Sequence, residues 1–176
     1  MNHMQRLFLI GPMGAGKTTL GRLLARQLGY EFYDSDRVIE ERTGVDIPTI
    51  FDYEGEAGFR EREKRIIQEL TSLDRIVLAT GGGAILTSEN RNILRRQGFV
   101  VYLKVSIQQQ LLRTSRDQSR PLLQTENPEQ RLQKLAEERN HLYESIADFT
   151  IDTDRYHTHA LKNQITKAFK AQLDVK

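Results

Sequence analysis

The stretch Gly11-Pro12-Met13-Gly14-Ala15-Gly16-Lys17-Thr18 decides how the rest of the chain is read. It meets the pattern G-x-x-x-x-G-K-S/T at every constrained position, and its surroundings fit as well. Ahead of it, Leu7-Phe8-Leu9-Ile10 predicts a buried strand. Behind it, a helix is predicted over about Lys17–Leu28, with Leu20, Leu23, Leu24 and Leu28 on one face. Glycines in such a loop let backbone N–H groups turn inward around phosphate oxygens, and the helix N-terminus adds a favourable dipole. Lys17 is placed to reach the β and γ phosphates of a nucleotide, and the Thr18 hydroxyl to ligate Mg²⁺. A chance glycine turn with an exposed lysine would share the eight residues but not the strand and helix on either side.

Outward from that loop, short apolar runs alternate with stretches of helical length. Glu31-Phe32-Tyr33 predicts a second strand ending at Asp34, and Arg75–Ala79 a third that runs into Gly81-Gly82-Gly83. Phe99–Leu103 is the fourth and Phe149-Thr150-Ile151 the fifth, with a terminal helix after it. Another helix begins near Thr87 or Ser88. A further start signal is Asn127-Pro128-Glu129-Gln130: Asn as N-cap, Pro at the first helical position, Gln three residues after the cap. This alternation predicts an α/β domain with a parallel sheet covered on both faces. Ligands of such sheets bind beyond the carboxyl ends of the strands, so function is sought just after each strand.

Composition narrows the class. A chain of 176 residues fits one domain, and 38% hydrophobic with 28% charged residues suits a packed core in water. Lys and Arg number 26 against 24 Asp and Glu, a formal charge of +2. That balance excludes a strongly basic nucleic-acid coat or an acidic tail. Without cysteine there is no disulfide, no cysteine-held zinc or iron–sulfur cluster and no thiol chemistry. The run Leu7–Ile10 is too short for a signal peptide and no other approaches a membrane span, so a soluble, cytoplasmic domain is expected. His3, His141, His157 and His159 lack metal-ligand spacing and read as surface residues.

Within phosphate-loop proteins, a GTPase would carry N-K-x-D, which does not occur here. A motor ATPase would end an apolar strand in Asp or Asp-Glu, whereas Ile76–Ala79 leads into Thr80 and three glycines. A compact kinase acting on a small molecule remains. Asp34-Ser35-Asp36 brings two carboxylates to the end of the second strand. One could hold Mg²⁺ through water while the other orients or deprotonates an attacking hydroxyl, or the group could simply cap a helix. The triple glycine admits a ligand against main-chain N–H groups, or is a plain loop. Phe59–Arg65 has the composition of a solvated helix face, yet Arg60 and Glu63 share a side, so one could brace the other toward a cleft. With Arg139, Arg60 would make a pair suited to a carboxylate. Residues 113–127 read as a mobile segment around Arg120, either an exposed loop arginine, as composition alone favours, or a lid arginine whose charge would meet the transferring phosphoryl group.

Taken in order, GPMGAGKT, FYDSD, the FRxRE run, ATGGG, RTxRDxxRPLL and ERNxLY resemble the shikimate kinase family over almost the whole chain. The resemblance implies the P-loop kinase fold, with a five-stranded parallel sheet in order 2-3-1-4-5 flanked by helices. It implies one domain over 1–176, with substrate-binding helices over about 34–65 and the lid over about 113–127. It also implies ATP-dependent phosphorylation of the 3-hydroxyl of shikimate, with one Mg²⁺, by a cytoplasmic monomer that takes ATP and shikimate and binds neither nucleic acid nor membrane. By the same resemblance, Gly14, Ala15, Gly16, Lys17, Thr18 and Thr19 hold the ATP phosphates, Arg113 packs on adenine, Arg120 reaches the phosphates, and Arg155 lies in the adenine loop. Thr18 and Asp34 serve the metal, and Asp36 holds the acceptor hydroxyl. Arg60 and Arg139 grip the carboxylate with Glu63 in support, while Gly81, Gly82 and Gly83 lie against the ring. His141 stands where the family pattern has proline, which is expected to loosen that helix end.

Overall fold

The computed structural model describes residues 5–115 and 125–175. Strands β1 (Arg6–Ile10), β2 (Glu31–Asp34), β3 (Ile76–Ala79), β4 (Phe99–Lys104) and β5 (Phe149–Asp152) form one sheet in the order β2-β3-β1-β4-β5. Every pairing is parallel. Around them lie α1 (Lys17–Leu28), α2 (Ser35–Thr43), α3 (Ile47–Leu70), α4 (Ser88–Gln97), α5 (Ile107–Thr114), α6 (Pro128–Ile146) and α7 (Thr158–Asp174), with a 3-10 turn at Ala84–Leu86. This is the sheet order and layering expected. No helix among the described residues is long and apolar enough to cross a membrane.

The central strand explains the architecture. Leu7, Phe8, Leu9 and Ile10 are all fully buried, although successive side chains of a strand point to opposite faces. Leu7 and Leu9 join Val77, Val101 and Leu103 under α1 and α7, against Leu20, Leu24 and Phe169. Phe8 and Ile10 join Leu78, Val100 and Tyr102 beneath Ile67, Leu94, Tyr143 and Ile146 of α3, α4 and α6. A strand with helices on both sides has no face left for polar residues, so its sequence is a continuous apolar run.

Local signals set the helix ends. α1 stops at Gly29, which takes φ 71° and donates its N–H to the carbonyls of Ala25 and Arg26. α6 opens as predicted, the Asn127 side chain accepting from the Gln130 N–H at 3.1 Å with Pro128 in the first turn. His141 is exposed and does not loosen the helix, which runs on to Ile146 because an exposed histidine keeps the backbone N–H that proline lacks. The sequence offered Phe59–Arg65 as a helical stretch; the helix is longer, capped at Asp46 and broken at Gly55 (φ 70°, ψ 179°). A two-toothed ion pair from Arg42 to Glu69 (2.7 and 2.5 Å) ties α2 to α3. Since all five strands run the same way, the ends of β1, β2 and β3 open along one edge, and the loops that follow them build one cleft.

Candidate active site

The phosphate loop forms the cleft floor. A Cβ on Gly11 would stand 2.6 Å from the Leu103 carbonyl, so this position admits only glycine. Gly16 precedes α1 with φ 91° and offers no side-chain cap, which leaves the first N–H groups of the helix for an anion. Lys17 is nearly buried, and its Nζ donates to the carbonyls of Gly11 (2.5 Å) and Pro12 (2.8 Å). α5 walls the loop: Gln110 Nε2 donates to the Met13 carbonyl at 2.9 Å and Arg113 Nη1 to that of Gly14 at 2.9 Å.

A cleft of about 800 Å³ is lined by Gly14, Gly16, Lys17, Thr18, Thr19, Asp34, Asp36, Thr80, Gly81, Gly82 and Arg113. A second, of about 590 Å³, shares Gly16, Thr19 and Arg113 with it and continues past Ala15 to Thr153, Tyr156 and Leu161. Arg113 therefore stands between a phosphate side and a less polar side. Arg155 lines neither cleft; its side chain is 75% exposed and pairs with Asp152 at 3.2 Å. Its neighbours Thr153 and Tyr156 face the second cleft instead. Arg120, with 116–124 of the expected lid, lies outside the described residues, as do His3 and the first four residues.

Asp34 caps α2 and also reaches the phosphate loop. Its Oδ1 caps α2, accepting from the N–H groups of Asp36 (3.0 Å) and Arg37 (3.3 Å). Its Oδ2 accepts from the Thr18 hydroxyl at 2.6 Å, which joins the end of β2 to the start of α1. Two hard oxygen donors thus meet at the cleft wall. Among the described residues no group of three or more His, Cys, Asp or Glu could hold a metal. A donor set this small suits Mg²⁺, which keeps several waters and takes its remaining oxygens from phosphates.

Three successive glycines each serve a different neighbour. A Cβ on Gly81 would stand 2.6 Å from Asp36 Oδ1, and one on Gly83 would stand 2.6 Å from Arg60 Nη1. At Gly82 it would lie 3.8 Å from Arg139 Nη1. None of the three has a positive φ; close approach alone calls for glycine at Gly81 and Gly83, whereas Gly82 has room for a Cβ. Asp36, Arg139 and Arg60 are accordingly brought along one glycine strip, although they come from α2, α6 and α3.

The arginines are held from below. Arg60 Nη1 donates to Glu63 Oε1 at 2.9 Å, and its Nη2 reaches Glu56 at 3.3 Å. Glu63 is fully buried, and Arg139 is 5% exposed. Burial pushes the Glu63 carboxyl up to about 7; Arg60 opposes the rise, Asp36 adds to it, and Arg139 opposes it. Burial also lowers the pKa of Arg139, with Tyr143 working against this and Arg60 for it. The Nε–H groups of Arg60 and Arg139 are buried with no hydrogen-bond partner among the described residues. Two such donors beside one strip of bare backbone ask for a planar anion such as a carboxylate.

Sequence reading passed over several supporting residues. Ser35 is fully buried and its Oγ accepts from the Gly81 N–H at 3.1 Å, tying the glycine strip to α2. Thr80 Oγ1 donates to the Leu9 carbonyl at 3.0 Å. The Tyr143 hydroxyl donates to the Gly82 carbonyl at 2.5 Å. Only Tyr143 carried a signal, standing four residues after Arg139 and hence on the same helix face.

Comparison with known proteins points to one family. The family model for shikimate kinase matches residues 13–170. Shikimate kinase of Methylococcus capsulatus is 55% identical over 170 residues, covering 97% of this chain and 95% of its own. That of Vibrio parahaemolyticus is 57% identical over 167 residues, covering 95% and 97%. Among solved structures, shikimate kinase from Acinetobacter baumannii in complex with shikimate superposes with a TM-score of 0.94 at 49% identity, covering 99% of this chain and 97% of that one. The chain belongs to the shikimate kinase family.

Proposed function

We propose that the protein transfers the γ-phosphoryl group of ATP to the 3-hydroxyl of shikimate, giving shikimate 3-phosphate and ADP. The observation that carries the acceptor assignment is the pair of guanidinium groups, Arg60 and Arg139, whose Nε–H donors are buried and without a partner among the described residues, flanking the glycine strip beside Asp36. A rigid cyclic acid lying on Gly81–Gly83 with its carboxylate between the arginines brings a ring hydroxyl to Asp36. The glycines permit the contact: a Cβ at Gly81 or Gly83 would collide with Asp36 or Arg60.

The reaction is an in-line displacement without a covalent enzyme intermediate. The acceptor oxygen attacks the γ-phosphorus, the bond to the bridging oxygen of ADP breaks, and the hydroxyl proton passes toward the Asp36 carboxylate. Lys17 and the N–H groups at the start of α1 carry the charge on the phosphoryl oxygens. Thr18 and Asp34 would hold Mg²⁺, which enters with ATP and supplies neutralisation at the β and γ phosphates. The less polar cleft between Arg113, Thr153 and Tyr156 suits the base. The same reading has residues 34–65 as the acid-binding part of a single domain, acting as a cytoplasmic monomer. It is supported by the surrounding fold and by relatives named shikimate kinase over nearly their whole length.

The test is ADP release from ATP and Mg²⁺ with shikimate, with gluconate, or with no acceptor. Release with shikimate alone is expected. Release with gluconate would leave the phosphate site standing and overturn the acceptor. ATP binding without acceptor-dependent release would mark a nucleotide-binding module.

A further inference from the structure

α6 carries Arg139 and Tyr143 four residues apart, so the two side chains lie one turn apart on one face. That face meets the glycine strip. Tyr143 is 1% exposed, and its ring stacks on Tyr102 with centroids 5.1 Å apart and 21° between planes. The stack leaves the hydroxyl little freedom, and it donates to the Gly82 carbonyl at 2.5 Å. The Arg139 guanidinium lies against the same phenolic oxygen. One buried hydroxyl therefore joins the cation expected to bind the acid and the backbone expected to support the ring.

We infer that Tyr143 is a positioning residue for the acid substrate: by donating to the Gly82 carbonyl and accepting from the Arg139 guanidinium, it anchors the glycine strip and leaves the Nε–H of Arg139 for the substrate carboxylate. The reasoning is a competition for acceptors. A buried carbonyl stripped of its donor takes the nearest one available. Arg139 is the side chain beside Gly82 that can offer one: its Nη1 lies 3.8 Å from the Cβ position of Gly82, and its Nε–H is without a partner among the described residues. Without the hydroxyl, Arg139 turns to Gly82 and meets the acid already engaged. Burial raises the Tyr143 pKa far above neutrality, and the Arg139 charge only partly offsets this, so the hydroxyl stays protonated and remains a donor. The inference rests on the acid site proposed above.

Tyr143→Phe keeps the ring and the stack and removes only the hydroxyl. The KM for shikimate should rise roughly five- to hundred-fold, the range expected when one buried acceptor loses its donor, with kcat and the KM for ATP within about twofold of wild type. Tyr102→Phe, which trims the other ring of the stack, should leave the KM for shikimate unchanged. In an Arg139→Ala background, Tyr143→Phe should add less than about twofold, because the residue acts through Arg139. A purely structural role predicts instead the same loss in both backgrounds, or equal losses for shikimate and ATP. Either result, or an unaltered KM in Tyr143→Phe, overturns the inference while leaving the acid site intact. A wild-type protein with no shikimate-dependent ADP release overturns the acid site itself, and the inference with it.

Discussion

Replacing Glu63 by Gln isolates one buried titration from all others. The carboxyl is fully buried, its Oε1 is 2.9 Å from Arg60 Nη1, and burial holds its pKa at about 7 rather than 4.5. An acid whose pKa is raised by folding binds its proton more tightly in the native state. Glu63 therefore contributes stability that is fully present below about pH 4.5 and is lost as pH rises through about 7. At 1.36 kcal/mol per pH unit, the full contribution is about 3 kcal/mol, most of which disappears between pH 5 and pH 8. Glutamine fills the same space and does not titrate. Urea unfolding of both proteins at pH 5, 6, 7 and 8 gives the difference in stability at each pH, and the remaining titrations, common to both, cancel. Wild type is expected to lose roughly 2–3 kcal/mol relative to Glu63→Gln across that range. Parallel profiles within about 0.5 kcal/mol, the usual limit for independent effects, would refute the reasoning. So would divergence of the opposite sign, which would mean that the arginines outweigh burial and keep Glu63 ionised.

Other changes report on the rest of the cleft. Asp36→Ala should lower kcat by roughly 10²- to 10⁴-fold with ATP affinity retained; turnover within a few-fold of wild type in the ADP assay would remove Asp36 from its role. Arg60→Ala and Arg139→Ala should each raise the KM for shikimate by about 30-fold or more while the KM for ATP moves little, and equal losses for both substrates would contradict the assignment. Gly83→Ala places a Cβ 2.6 Å from Arg60 Nη1, so the guanidinium must shift and shikimate binding should weaken, as calorimetry would measure. At Asp34, asparagine preserves the helix cap and alanine does not. Asp34→Ala should therefore lose about 1 kcal/mol more stability than Asp34→Asn, while both variants need more Mg²⁺ for half-maximal rate.

Much of the fold was legible because it is written in short-range patterns. A four-residue apolar run, a glycine loop ending in Lys-Thr and an amphipathic helix amount to strand, turn and helix for local reasons alone. The capping signal at Asn127 likewise needs only its own next three residues. α2 and the upstream half of α3 were less visible. α2 buries only Ser35 and Ile39, so its apolar stripe is too thin to show a period, and Gly55 interrupts α3.

The sequence by itself determined the phosphate loop, the alternation that makes a parallel sheet, and, through its motifs in order, the family. It also supplied the chemical types at the cleft: two aspartates, two arginines and three glycines. Only the tertiary structure decided how these meet. Asp34 divides its two oxygens between a helix cap and Thr18, a division that local sequence leaves open. Arg60, Arg139 and Asp36 arrive from three helices, one of them far along the chain, and their common border on Gly81–Gly83 exists only once β1, β2 and β3 end along the same edge. Ser35 and Tyr143 pin that border through hydrogen bonds spanning 46 and 61 residues. Helical and strand periods reach only across neighbouring turns, and contacts of that span arise only after the sheet has closed.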